Sequence, residues 1–315
     1  DSIYAKTIFK RIKMKILLIT LLLIAAPIIH AQGQDSTNFE RDAMVVSELL
    51  PGLYDNYSQY YFDQRAKLPK LEQHSRRHIV IEKMDSPSVE VFSISDSISE
   101  GEKIKTSYSL MSVEANNTKE GVQLTIYNSS ENYNLEDINQ SPNCTIILVR
   151  GAEEFYSKEF SGTCENNPNI YTLSPKHLFV RTLESDVSKI PYKLNQGRKF
   201  ECYVDIPGVG GGRDEPYNRY DGYKIHDQGG SFEIQTKDKR SIIISLAKID
   251  WPINNYDGVF TRDVLVIYAT EITKDGPKEL GYAFTEPDVE RLGLNFKWML
   301  ASCFTKSNQY AIPFM

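Results

Sequence analysis

The sequence predicts a mainly β protein, an antiparallel barrel or sandwich entered through short helices. Three observations carry this. About a dozen short runs rich in β-branched and aromatic residues, among them "RHIVIEK", "VEVFSIS", "GVQLTIYN", "CTIILVR", "KFECYVDI" and "VLVIYATEI", are each bounded by Gly, Pro, Asn, Asp or Ser. Most alternate, as Val89, Val91 and Ser93 do against Glu90, Phe92 and Ile94, which suits one buried and one partly exposed face. Helical spacing is confined to the start of the mature chain, so neighbouring hairpins must close into a barrel or split into two sheets.

Met14 opens "MKILLITLLLIAAPIIHAQG", with Lys15, an apolar run from Ile16 to Ile29, and Ala31 before a polar stretch. That is the pattern of a secretory signal peptide. The run is short for a membrane span and no Lys/Arg cluster follows it. Residues 14–31 are therefore expected to be the signal peptide, residues 1–13 extra translated sequence ahead of it, and residues 32–315 a single secreted domain, free of the membrane after cleavage.

From Phe39 to Arg65, apolar residues recur at Met44, Val45, Leu49 and Leu50, then at Leu53, Tyr57, Tyr60 and Tyr61. The spacing is helical. Pro51-Gly52 interrupts it, so two short helices or one broken one are expected. Strands follow to about residue 270, and "TEPDVERLGLN", with Pro287 and two acidic residues beside it, reads as a short helix start. No repeat or coiled coil breaks the chain into separate domains.

Four cysteines suit a secreted chain and allow three connectivities. Cys144 and Cys164 flank a hairpin-like segment, and a bridge between them is the first choice, worth about 3 kcal/mol in the loop-entropy model. Cys202 with Cys303 would follow by elimination. None has CxxC spacing, which disfavours metal and thioredoxin-type readings. Sequons at Asn56, Asn116, Asn128, Asn139 and Asn143 fit a glycosylating pathway. Over 315 residues the net charge is −6 and Lys and Arg are scattered, so nothing marks the chain for nucleic acid.

The search for chemistry starts from the histidines of the mature chain, His74, His78, His177 and His226. His74 and His78 would share a metal on a helix, but His78 opens a strand, where residues four apart stand about 13 Å from each other. No metal site is assigned. The glycines of "PGVGGGRDEP", residues 207–216, lack the Lys-Ser/Thr of a phosphate loop and read as a flexible connection. "DGYKIHDQGGSFEIQ", residues 221–235, reads as strand, Gly turn, strand. His226 and Asp227 then face opposite ways and do not form a dyad. Nineteen tyrosines and fourteen phenylalanines offer flat surfaces for a large conjugated ligand.

Several stretches taken together resemble the CpcT/CpeT family of T-type chromophore lyases. "LLPGLYDNYSQYYFDQR" is similar to that family's N-terminal segment, with Gly52, Tyr54, Asn56 and Gln59 in matching places. "CTIILVRGAEEFYSKEFSGTC", "FECYVDIP", "GYKIHDQGG" and "AKIDWPI" resemble later blocks in the right order, over roughly residues 45–270. The resemblance implies a calyx-like (lipocalin-like) barrel, a homodimer, and a linear tetrapyrrole (bilin) held in the cup and delivered to a cysteine of an acceptor protein. No separate cofactor is required. Where the family carries paired arginines, this chain has Lys105 and Ser107, which weakens a propionate clamp. The ligand-binding candidates are Tyr54, Asn56, Gln59, Phe92, His226 and Asp227; no catalytic residue is assigned. Two further readings stay open: a non-enzymatic calyx carrying a bilin or another hydrophobic ligand, and a secreted protein whose cup is packed shut and which acts through its surface.

Overall fold

The computed structural model describes residues 38–87, 89–101, 103–162, 169–182, 190–207, 217–255 and 258–305. The expected signal peptide, residues 1–13, Cys164 and all but the first residue of the glycine loop lie outside these. The protein is mainly β, and its first half is a closed antiparallel barrel with the strand order β1-β10-β9-β8-β7-β6-β5-β4-β3-β2. The expected mainly β, calyx-like class is the class observed.

Helix α1 (Asn38–Leu49) ends where Pro51 cannot donate a helical hydrogen bond. Its Val46, and Leu50 just beyond it, enter the barrel core, while Met44 faces water. The break after α1 holds more than a turn: Gly52–Asp55 forms strand β1, which pairs with β2 (Arg77–Met84) on one side and β10 (Tyr192–Gly197) on the other. These four residues close the ring. Helix α2 (Tyr57–Arg65) follows at once. The wall between runs through β3 (Glu90–Glu100), β4 (Lys103–Asn116), β5 (Gly121–Asn128), β6 (Cys144–Arg150), β7 (Phe155–Gly162), β8 (Asn169–Leu173) and β9 (His177–Thr182).

Alternation sends Ile79 and Ile81 of β2 inward and leaves His78, Val80 and Glu82 on the outer face. Tyr54, Phe92, Ile94, Met111, Leu124, Ile126, Leu148 and Leu194 fill the interior. Arg77 lies among them, neutralised by Asp96 through two hydrogen bonds of 2.9 and 2.5 Å.

The chain leaves the barrel without a loop. Gly197 ends β10, and Lys199 begins β11 (Lys199–Ile206) of a second assembly. There, one sheet has the order β12-β11-β18-β17 and the other β13-β14-β15-β16. These comprise β12 (Asn218–His226), β13 (Gln228–Gln235), β14 (Ser241–Asn255), β15 (Gly258–Thr273), β16 (Gly276–Thr285), β17 (Arg291–Phe296) and β18 (Met299–Thr305). Both sheets supply one core, including Phe200, Val204, Ile244, Leu265, Leu294 and Ala301, which makes this half a sandwich. Cys202 and Cys303 sit opposite each other on β11 and β18 and form a disulfide, as elimination had suggested. Cys144 is also disulfide-bonded, but its expected partner lies outside the described residues.

Two local expectations are corrected. The strand–turn–strand around His226 is not a hairpin: β12 pairs with β11 and β13 with β14, so the chain changes sheets at Asp227. The short helix at Pro287 does not form. Arg198 donates to the carbonyls of Pro287 and Val289, and the next residues enter β17 with Leu292 and Leu294 buried. Those carbonyls serve a long-range contact in place of a helical ladder.

Candidate functional site

The polar centre of the molecule lies on the outer wall of the barrel, where the sandwich covers it. Tyr54 points inward and donates its hydroxyl to the carbonyls of Leu49 and Leu50, so Asp55 points outward. Asp55 is nevertheless only 1% exposed. It stands opposite His78 in the β1–β2 register, and its Oδ2 is 3.0 Å from His78 Nδ1. Arg76 lies farther off, at 3.3 Å from Oδ2 and 3.4 Å from Oδ1. Its firmer bonds go to the carbonyls of Gly229 (2.9 Å) and Gln228 (3.2 Å), with its guanidinium 5.2 Å over the Tyr57 ring.

His226 arrives at this centre from the last position of β12. Its ring lies 5.1 Å from that of His78, tilted by 31°. One ligand-type atom from each of Asp55, His78 and His226 falls within a 4.8 Å span. His226 Nδ1 is buried and makes no hydrogen bond among the described residues. Burial pushes the imidazole down to about 4; nearby Asp55 works against this, while His78 and Arg76 add to it. His226 is thus a neutral ring at ordinary pH.

Each residue of "HDQGG" has a place here. Asp227, 1% exposed, turns away from the centre and accepts from Arg198 N (2.9 Å) and Nε (2.8 Å), tying the sheet corner to the start of β11. Gln228 and Gly229 offer their carbonyls to Arg76. Gly229 has φ +77°, and a Cβ there would meet Tyr57 Cδ2 at 2.2 Å; at Gly230 a Cβ would lie 2.5 Å from His226 N. The two glycines let the corner fold over the imidazole and under the tyrosine.

The candidates from sequence divide into two groups. Tyr54 and Phe92 belong to the barrel core. Asn56 is wholly buried and structural: its Oδ1 accepts from Arg77 N (2.7 Å), and its Nδ2 donates to Ser75 O (3.0 Å). Gln59 ties α2 to β10, donating to Pro191 O and accepting from Lys193 N. His226 alone reaches the centre. His74 lies ahead of β2 and is held by Asp63 at 2.7 Å. Asp55, Arg76 and His78 were missed. No periodicity reveals that a barrel's outer face is covered, although Asp55 lies inside the "GLYDNYSQ" block.

No family model, curated protein or solved structure matches this chain. The reading of the site therefore rests on its geometry.

Two spaces bear on what the protein can hold. The void inside the barrel, lined by Leu50, Ile79, Ile81, Met111 and Tyr171 among others, is ≈ 10 Å³, at most the room of one water. Outside, an open groove of ≈ 460 Å³ is lined by Pro51, Gly52, Val80, Ile81, Glu82, Lys83 and Lys199. It runs on the same face of β2 as His78, with Val80 two residues and about 7 Å along the strand.

Proposed function

We propose that the protein is a secreted binding protein for a linear tetrapyrrole, or for a similarly flat apolar ligand bearing carboxylates, held in the groove outside β2. The observation that carries this reading is the contrast of volumes. The closed barrel is filled, whereas the outer groove is within the roughly 300–1,000 Å³ of small-molecule sites. Its floor is apolar at Val80 and Pro51, and Lys83 and Lys199 stand at its rim. Both lysines are exposed and, among the described residues, their ion pairs are to surface glutamates, Glu90 at 2.6 Å and Glu82 at 3.9 Å. Such pairs are worth little, so exchanging them for a ligand's carboxylates costs little.

A second, lyase-like reading is favoured by His78. It lies on the groove's own strand face with its side chain 30% exposed. In thioether addition the acceptor's sulfur bonds to a vinyl-type carbon and the thiol proton ends on the neighbouring carbon, so a base and an acid are needed. The His78 imidazole, part-exposed and held 3.0 Å from Asp55 Oδ2, is the group placed to receive that proton.

Titration of the full chain with biliverdin, followed by its visible band and induced circular dichroism, tests the binding. Saturable binding that Lys83→Glu with Lys199→Glu weakens about tenfold or more supports the groove. Binding unchanged by that pair places the ligand elsewhere, and no binding removes the tetrapyrrole. Transfer to a thiol-bearing acceptor, lost in His78→Gln, separates lyase from carrier.

A further inference from the structure

We propose that Asp55, His78 and His226 form a binding site for a divalent transition-metal ion of the zinc class. The three residues come from β1, β2 and the end of β12, and no local motif joins them. The fold alone brings two imidazoles and a carboxylate within 4.8 Å.

The donor set selects the ion. Two ring nitrogens and one carboxylate oxygen suit zinc and its first-row neighbours; calcium and magnesium take oxygen ligands. Three protein ligands also leave a fourth position for water, the open arrangement of a zinc site that is not purely structural.

The independent sign is His226 Nδ1. It is buried without a hydrogen bond among the described residues, on a ring that brings one of its nitrogens within 4.8 Å of the other two donors. A buried polar atom without a partner is costly, and an ion is one of the few things that would satisfy it. The two rings lie 5.1 Å apart, tilted by 31°, and Nδ1 of His226 takes no bond from His78.

The geometry is near closure. Donors bound at zinc distances in a tetrahedron stand about 3.3 Å apart. Asp55 Oδ2 and His78 Nδ1 are already 3.0 Å apart, and since the three donors all lie within 4.8 Å of one another, reaching about 3.3 Å takes at most about an ångström and a half of side-chain movement. Arg76 is the one cation nearby among the described residues, and its contacts to Asp55 are long. It keeps its bonds to the carbonyls of Gln228 and Gly229 when the carboxylate turns to an ion. Arg198 is committed to Asp227. The part-exposed His78 side chain provides the way in.

The test uses the full chain, stripped with a chelator and titrated with Zn²⁺ alone by calorimetry, then with Co²⁺ by visible absorption. One equivalent per chain and the d–d bands of a four-coordinate cobalt site are expected. His78→Gln and His226→Gln should each weaken binding by more than the about 10–100-fold that outer-shell partners cost. His177→Gln, on a ring held by Asn195 at 2.9 Å, should leave it unchanged. Absence of stoichiometric binding to the wild-type chain overturns the proposal whether or not the variants fold. Binding that survives both glutamine variants, shown folded by circular dichroism, overturns it too. Because no tetrapyrrole is present, failure of biliverdin to bind leaves this result untouched.

Discussion

Removing the carboxylate of Asp96 takes the ion-pair partner from the Arg77 guanidinium inside the barrel. Arg77 is 2% exposed and Asp96 6%, and the pair is joined by two hydrogen bonds, with Tyr192 5.2 Å under the guanidinium. A buried ion pair gains little over an apolar one, but stripping one partner leaves an uncompensated charge and costs about 3–5 kcal/mol. At roughly 2–4 °C per kcal/mol for a chain of this size, Asp96→Ala should lower Tm by at least about 6 °C. Replacing both with apolar residues, Arg77→Met with Asp96→Val, should recover most of that loss. Chemical denaturation of the two variants and the wild type gives the comparison. If Asp96→Ala costs less than about 1 kcal/mol, the guanidinium is compensated without Asp96 and the reasoning from its burial fails. The consequence reaches the site, because Arg77 N holds Asn56 Oδ1 and lies between Arg76 and His78.

Gly229→Ala should destabilise the protein clearly more than Gly222→Ala, since both have φ near +77° but only Gly229 has Tyr57 against it; thermal unfolding of the two shows the difference. Asp250 and Asp263 face each other across β14 and β15, and the hydrogen bond between them, with burial adding, raises the Asp250 carboxyl above its usual range. A folded pKa above the unfolded one means that the group's stabilisation is present at low pH and drains away as pH rises through the raised value. Asp250→Asn should therefore stabilise the protein at neutral pH, by about 0.2–1 kcal/mol, and lose that advantage in acid; equal unfolding midpoints at pH 7 would refute it. In protein secreted from a glycosylating host, peptide mass spectrometry should find Asn56 bare, because its Nδ2 is buried on Ser75 O. A glycan is sterically permitted at the exposed Asn128 and Asn139.

Much of the fold was legible because one-sided burial writes an alternation into each strand. Ile79 and Ile81 against His78 and Val80 is such a case, and its inward set is the barrel core. Strand β1 was not legible: four residues between two helical patterns are too few to show a period. The passage from barrel to sandwich was hidden as well, since Gly197 and Lys199 are separated only by Arg198 and the chain simply runs on. At the site, the glycines of "HDQGG" signalled a turn, yet their reasons are a tyrosine and an imidazole brought by other segments. Asp55 looks like a surface carboxylate until the sandwich covers it. Contacts between residues 55, 78 and 226 belong to the tertiary fold, which no local pattern encodes.

The central claim is that ligands meet this protein on the outer face of β2 and not within the barrel. Its most direct test is a crystal structure of the full chain soaked with biliverdin. Density is expected over Val80 and Pro51, with the propionates at Lys83 and Lys199 and the barrel core unchanged. Tetrapyrrole density inside the barrel, with Tyr54 and Phe92 displaced to admit it, would place the ligand site in the cup and rule out the outer groove.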